Sequence, residues 1–186
     1  AMVLQYQGRV DDALQVLQQG LQLRPDVNLY SRLGEIRFDQ GNYVAAADAM
    51  EKAVLGNPQN YENWIGLANA LIQLPEKKAD ARIAYEKARE LLMGRLEQRP
   101  GDGWLMVTIA IIHARIGEGK ESLIMLNKAL ELAPNNPDVH FQAACAYELM
   151  GRRESALTEI DKAKQLGFSE AKIRSEPILK ELLKTM

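Results

Sequence analysis

Residues Val27 to Asn60, VNLYSRLGEIRFDQGNYVAAADAMEKAVLGNPQN, hold two helices and the punctuation that separates them. Tyr30, Leu33, Gly34 and Arg37 recur at i, i+3, i+4 and i+7, one stripe of a 3.6-residue period. Gly41-Asn42 interrupts the period, which restarts with Ala46, Met50 and Ala53. Asn57-Pro58 then ends it, as such pairs end helices. Gly34 and Ala46 are small enough for two helix backbones to approach closely. The stretch therefore predicts an antiparallel helix pair. Neither helix can bury its apolar stripe alone, so the pair has to stack on others like it.

Copies lie on both sides. ALQVLQQGLQLRPD (Ala13 to Asp26), AADAMEKAVLGNPQN (Ala46 to Asn60), SLIMLNKALELAPNN (Ser122 to Asn136) and ALTEIDKAKQLGF (Ala156 to Phe168) are variants of one string. Pro25 and Pro58 are 33 residues apart. Pro58 and Pro134 are 76 apart, two units with extra residues, and Pro100 falls between them. Gly8 and Gly41 are separated by 33 residues, Gly117 and Gly151 by 34. Small residues recur at matching sites: Gly34, Ala68, Ala110 and Ala144 in the first helix of each unit, Ala46, Ala81, Ser122 and Ala156 in the second.

This pattern resembles the tetratricopeptide repeat, a helix–turn–helix of about 34 residues with W-x2-L-G-x2-Y, A-x3-F and a closing proline. Residues 27–60 fit through Leu33, Gly34, Tyr43, Ala46, Ala53 and Pro58. Residues 61–102 fit through Trp64, Leu67, Ala68, Ala81, Tyr85 and Ala88; residues 103–136 through Ile109, Ala110, Gly117, Leu126, Ala129 and Pro134; residues 137–168 through Ala144, Tyr147, Gly151, Ala156, Ile160 and Ala163. The resemblance implies an all-α fold, a right-handed superhelical solenoid of antiparallel helix pairs with about ten helices. The array would span 1–168, with 1–26 a truncated first repeat, and 169–186 would form a C-terminal capping helix. The 61–102 unit has 42 residues, eight more than its fellows. About seven of them extend its second helix, expected from Lys78 to Glu97 with its far end projecting into solvent. Ser175-Glu176-Pro177 reads as a helix start, followed by one apolar face of Ile178, Leu179, Leu182 and Leu183. The ending from Ala163 to Leu183 also resembles the repeat arrays at the C-termini of bacterial serine/threonine kinases and winged-helix regulators. A solenoid needs a capped start, and Ala1 to Gln7 is a poor one, so the chain is expected to be cut from a longer protein.

Composition narrows the function. Among 186 residues, 23 Lys and Arg balance 25 Asp and Glu, a net charge of −2. No basic field favours nucleic acid or an anionic membrane. The longest apolar-rich run, Trp104 to Ile112, is far short of the roughly 20 residues that span a bilayer. Cys145 is the lone cysteine and there are two histidines, which argues against a disulfide framework or a zinc site. No phosphate loop or metal-binding histidine pair occurs. The expectation is no enzyme, no cofactor and no metal, in a cytoplasmic setting without a signal-peptide pattern. His113 and His140 read as core histidines with a hydrogen bond each.

The resemblance places a second stripe of each first helix on a concave groove. These stripes are Asn28, Ser31, Glu35, Phe38; then Glu62, Ile65, Asn69, Ile72; then Trp104, Val107, Ile111, Ala114; then Asp138, Phe141, Cys145, Glu148. The groove residues expected to bind a partner are Phe38, Ile65, Asn69, Ile72, Trp104, Val107, Ile111, Phe141 and Cys145. A helix with one packing stripe should have a polar back, whereas 104–116 is apolar nearly all round. The apolar members are therefore expected to form an open patch with Trp104 as its anchor; the alternative is that superhelical curvature, or the long second helix of the 61–102 unit, covers it. Relatives that clamp acidic C-terminal tails use lysines on these stripes; here there are none, and Asn69 and Arg115 are partial echoes. The reading is a protein–protein interaction module that takes an apolar peptide or a partner domain in the groove. The alternative is a structural spacer that stacks or forms homo-oligomers through its N-terminal end.

Overall fold

The computed structural model describes residues 10–184. Among them there are eleven α-helices, two short 3-10 turns and no strands. The truncated first repeat's turn at Gly8 and the terminal Thr185 and Met186 lie outside the described residues. Two compact units divide the chain, Ala1–Leu91 and Leu92–Met186.

The first unit contains α1 (Val10–Leu23), α2 (Val27–Asp39), α3 (Tyr43–Gly56) and α4 (Tyr61–Leu71), then a 3-10 turn at Pro75–Lys77. The boundary between units falls within α5 (Lys78–Gln98). The second unit continues with α6 (Gly103–Arg115), α7 (Gly119–Leu132), α8 (Pro137–Leu149) and α9 (Arg153–Gln165). It closes with α10 (Glu170–Ser175), a 3-10 turn at Pro177–Leu179 and α11 (Lys180–Leu183). Successive helices pair: α2 with α3, α6 with α7, and α8 with α9.

Short polar residues start the first helix of each pair. The carboxylate of Asp26 accepts from the Asn28 amide at 2.9 Å, Asn60 accepts from Glu62 at 2.9 Å, and Asp102 accepts from Leu105 at 3.1 Å. Asn136 serves both Asp138 and Val139. Each satisfies an amide that the first helical turn leaves without a partner. Glycine ends three of these helices. Gly41, Gly117 and Gly151 have φ of 74°, 83° and 71°, the left-handed region that other residues enter only with strain. Just beyond, the amides of Asn42, Glu118 and Arg152 reach back to the carbonyls of Arg37, His113 and Tyr147, the closure of a Schellman motif.

Small residues lie where the helices of a pair cross. Ala46, Ala68, Ala81, Ala110, Ala144, Ser122 and Ala156 are fully buried. The Ser122 hydroxyl donates to the Ala110 carbonyl at 2.8 Å, so even the one polar member is satisfied. A Cβ added at Gly34 would stand 2.8 Å from Met50, and one at Gly66 would stand 2.7 Å from the same side chain. Met50 is thus seated between two glycines.

The extended helix matches expectation in length: α5 has 21 residues and ends at Gln98. Its last turns differ from expectation on one face. Arg95, Glu97 and Arg99 are exposed, but Leu92 and Leu96 are buried. The seven added residues keep the heptad phase, so an apolar face continues and is covered instead of projecting into water.

The C-terminal segment differs more. Ser175 is not a helix start; it ends α10, whose cap is Ser169. Glu176 caps the following turn by accepting from the Ile178 amide at 3.2 Å. Three short pieces replace the single expected helix because Pro177 lacks the amide that would continue α10. Ile173, Leu179 and Leu182 are nevertheless buried, and they close a cluster with Phe141, Ala144, Cys145, Ile160 and Ala163.

Candidate partner-binding surfaces

In the second unit, three of the expected groove residues belong to the core. Val107 is fully buried, Phe141 is 7% exposed and Cys145 is 2% exposed. This corrects the expectation that they face solvent. For Phe141 and Cys145 the cause is the C-terminal segment, whose 3-10 turn packs on α8; Val107 is covered where α6 packs on α7 and α8. Phe141 stacks on Phe168, ring centres 4.3 Å apart and nearly parallel. Burial raises the Cys145 thiol far above its ordinary range, the nearby Glu176 carboxylate adds to this, and Arg115 opposes it. Such a thiol is inert. Glu148, from the same stripe, holds one oxygen without a hydrogen-bond partner and the other 3.6 Å from Nε of Arg153. Trp104 remains 42% exposed, and Ile111 is half-buried.

In the first unit the expected residues stay partly open. Phe38, Ile65, Asn69 and Ile72 are all half-buried. Phe38 meets Tyr43 edge-on at 5.3 Å. Asn69 is spoken for: its side-chain oxygen accepts from the Tyr85 hydroxyl at 2.6 Å, tying α4 to α5.

Another opening of this unit lies nearer the helix starts. An open cavity of about 440 Å3 is lined by Leu17 of α1, by Asn28, Leu29, Ser31, Arg32 and Glu35 of α2, by Met50 of α3, and by Asn60, Glu62 and Asn63. Three lining residues, Asn28, Ser31 and Glu35, come from the second stripe of α2. Asn63 is the one that periodicity missed. It is polar and only 4% exposed. Its amide nitrogen donates to the Ala53 carbonyl at 3.3 Å and its oxygen accepts from the Ser31 hydroxyl at 2.7 Å. A buried asparagine among apolar neighbours is the signal that could have found it, since such a group must be paired. Arg32 and Glu35 form an ion pair along the rim. The floor is apolar, through Leu17, Leu29 and Met50, and the rim carries amides, two carboxylates and one guanidinium.

Both histidines are buried and hydrogen-bonded. His113 meets Glu118 through Nδ1 at 2.7 Å, and His140 meets Glu159 and the Pro134 carbonyl. Among the described residues no group of three or more His, Cys, Asp or Glu is placed to hold a metal ion, and no helix is long and apolar enough to cross a membrane.

Paired helices, a small residue at every crossing and an Asp or Asn cap at each first helix define a helical-repeat scaffold. Tetratricopeptide repeat models match residues 1–61, 32–102 and 125–164, and the chain belongs to that family. The repeat is a non-catalytic scaffold fold that generally serves protein–protein interaction. The chain is 29% identical over 130 residues to interferon-induced protein with tetratricopeptide repeats 3 of Mus musculus, covering 70% of this chain and 31% of that protein. It is 23% identical to anaphase-promoting complex subunit 3 of Schizosaccharomyces pombe over 87% of this chain and 23% of the relative. The chain thus spans under a third of these relatives. Among solved structures, a thermophilic tetratricopeptide repeat protein of Thermus thermophilus, TTC0263, aligns with a TM-score of 0.67 at 22% identity, covering 98% of this chain and 95% of the other. YrrB, described as having an unusual peptide-binding site, aligns with a TM-score of 0.52 at 22% identity over 92% and 84%. These likenesses concern the fold.

Proposed function

We propose that this chain is an interaction module whose first unit receives an extended polypeptide segment in the cavity between α2 and α4. The observation that carries this reading is the make-up of that cavity. Its apolar floor of Leu17, Leu29 and Met50 suits one apolar side chain. Its rim amides, Asn28 and Asn60, suit main-chain groups, because a side-chain amide both donates and accepts. Glu35 and Glu62 disfavour an acidic tail. Recognition would therefore combine a side-chain anchor with main-chain contacts. The peptide-binding site of the structural neighbour YrrB lends support by fold analogy.

Asn28 and Glu62 are exposed, so replacing them leaves the fold intact. The experiment isolates a partner with the wild-type chain and then measures its affinity for Asn28→Ala and Glu62→Ala by calorimetry. Loss of about tenfold or more for the pair of substitutions is expected if they touch the ligand. Undiminished affinity removes the cavity from consideration. Trp104 of the second unit is the other candidate anchor, and Trp104→Ala belongs in the same series. The structural-spacer reading draws on a different observation: Phe141 and Cys145 are closed off by the protein itself, so their part of the stripe serves packing.

A further inference from the structure

We propose that His140 is held as an imidazolium, protonated on both nitrogens, and that this proton fastens the α8–α9 hairpin of the last repeat. His140 Nε2 lies 2.8 Å from the Pro134 carbonyl oxygen, and Nδ1 lies 2.5 Å from Oε2 of Glu159. A carbonyl can only accept, so Nε2 carries a hydrogen. A neutral imidazole has no second one. Its Nδ1 lone pair would then face a carboxylate lone pair at contact distance, with His140 4% and Glu159 6% exposed. The pair therefore holds an additional proton. The other Glu159 oxygen lies 3.1 Å from the Lys162 ammonium, which keeps the carboxylate ionised and leaves the proton on Nδ1.

The same joint appears in an earlier repeat, without a titrating group. Trp64 Nε1 donates to the Pro58 carbonyl at 2.9 Å, six residues back, as His140 Nε2 donates to Pro134 six residues back. Pro58 and Pro134 both close a repeat, and both ring donors sit one turn into the next first helix. Indole is a donor at every pH. In the last repeat the donor is instead a ring whose second nitrogen needs a proton, with its counter-charge supplied by the next helix. The doubly protonated ring thus joins three elements: the turn before α8, α8 itself and α9.

The other ionisable groups nearby are accounted for. On α8 these are Asp138, Cys145, Tyr147 and Glu148; on α9 and its start, Arg152, Arg153, Glu154, Asp161 and Lys164, besides Glu159 and Lys162; on α6, His113 and Arg115; on α7, Lys120, Glu121, Lys128 and Glu131; on the C-terminal turn, Glu176. Of all these side chains, Glu159 is the one that bonds His140. The Tyr147 phenol is raised by burial and then by Glu159, which moves it away from neutrality. His113 is the other imidazole, and its Nδ1 bond goes to Glu118 on its own hairpin.

The sign follows from where the proton sits. Bound in the folded unit, it stabilises on the acid side, and that stability is lost as the pH rises and the ring gives the proton up. The test is equilibrium urea unfolding of the full chain between about pH 6 and about pH 9, for wild type and for Glu159→Gln. A glutamine can donate its amide N–H to a neutral Nδ1, so the variant keeps both ring contacts without the proton. Wild type should lose stability across this range, with the unfolding constant rising about tenfold or more, as for a charged hydrogen bond. Glu159→Gln should show a much flatter profile. A flat wild-type profile, or an equal slope in both, overturns the proposal. Should Glu159→Gln fail to fold, nitrogen-15 spectra of the wild-type His140 ring at about pH 7 decide. Two protonated nitrogens support the proposal, and a bare Nδ1 overturns it.

Discussion

Replacing Leu182 by alanine tests whether the C-terminal segment is a structural lid over α8. Leu182 is 1% exposed and packs in the cluster that contains Cys145. A buried leucine cut to alanine costs about 2–5 kcal/mol, through lost transfer energy and the cavity left behind. Because the segment is built of short pieces, the cost should fall on local opening as well as on global stability. Cys145 provides the probe, as the chain's single thiol and 2% exposed. A disulfide reagent reaches it only when the lid opens. If the substitution weakens the closed state by about 3 kcal/mol, labelling should speed up by about a hundredfold, at 1.36 kcal/mol per factor of ten. The assay is the labelling rate of native protein under conditions where opening precedes reaction, compared with the shift in the urea midpoint. Labelling as slow in Leu182→Ala as in wild type would refute the lid. A labelling rate that rises only in step with global unfolding would show that segment and unit melt as one.

Trp104→Ala should change the thermal midpoint little, since Trp104 is 42% exposed, whereas Trp64→Ala should cost about 1–3 kcal/mol by removing the packing of a half-buried ring and its bond to Pro58. Equal melts for the two variants would refute this separation. Gly34→Ala should destabilise by about 1–3 kcal/mol in urea unfolding because its Cβ would press on Met50, and shortening that side chain with Met50→Leu should recover part of the loss. Asn136→Ala should cost about 1 kcal/mol by leaving two first-turn amides of α8 without an acceptor, read as a lowered thermal midpoint.

The repeat was legible because its signals are local. An Asp or Asn before each first helix, a glycine at the turn and a small residue at each crossing act within a few residues of themselves. The length of α5 was legible for the same reason, since seven added residues preserve the apolar phase. The fate of the groove stripe was not legible. Whether Phe141 and Cys145 face a ligand or the core depends on how residues 170–183 fold back, and Pro177 breaks the periodicity from which that could be read. Periodicity assigns these residues to a helix face, but it carries no information about what covers the face.

The two units also differ in what their first helices can offer a partner. In the second, the apolar run Trp104 to Ile112 has the composition of an exposed patch, because a helix touching one neighbour should have a polar back. That inference fails once α6 has more than one neighbour: it packs on α7 and on α8, and Val107 vanishes into the core, leaving Trp104 exposed at the helix start. In the first unit the matching positions of α2 are Asn28, Ser31 and Glu35, which are polar because water reaches them. Hydrophobicity thus marked the closed surface, and the open one was marked by asparagine. For a scaffold of this kind an apolar stripe in excess of the packing stripe is first a sign of further coverage. A polar stripe beside a buried, fully bonded asparagine such as Asn63 is the better guide to where a segment of another chain can lie.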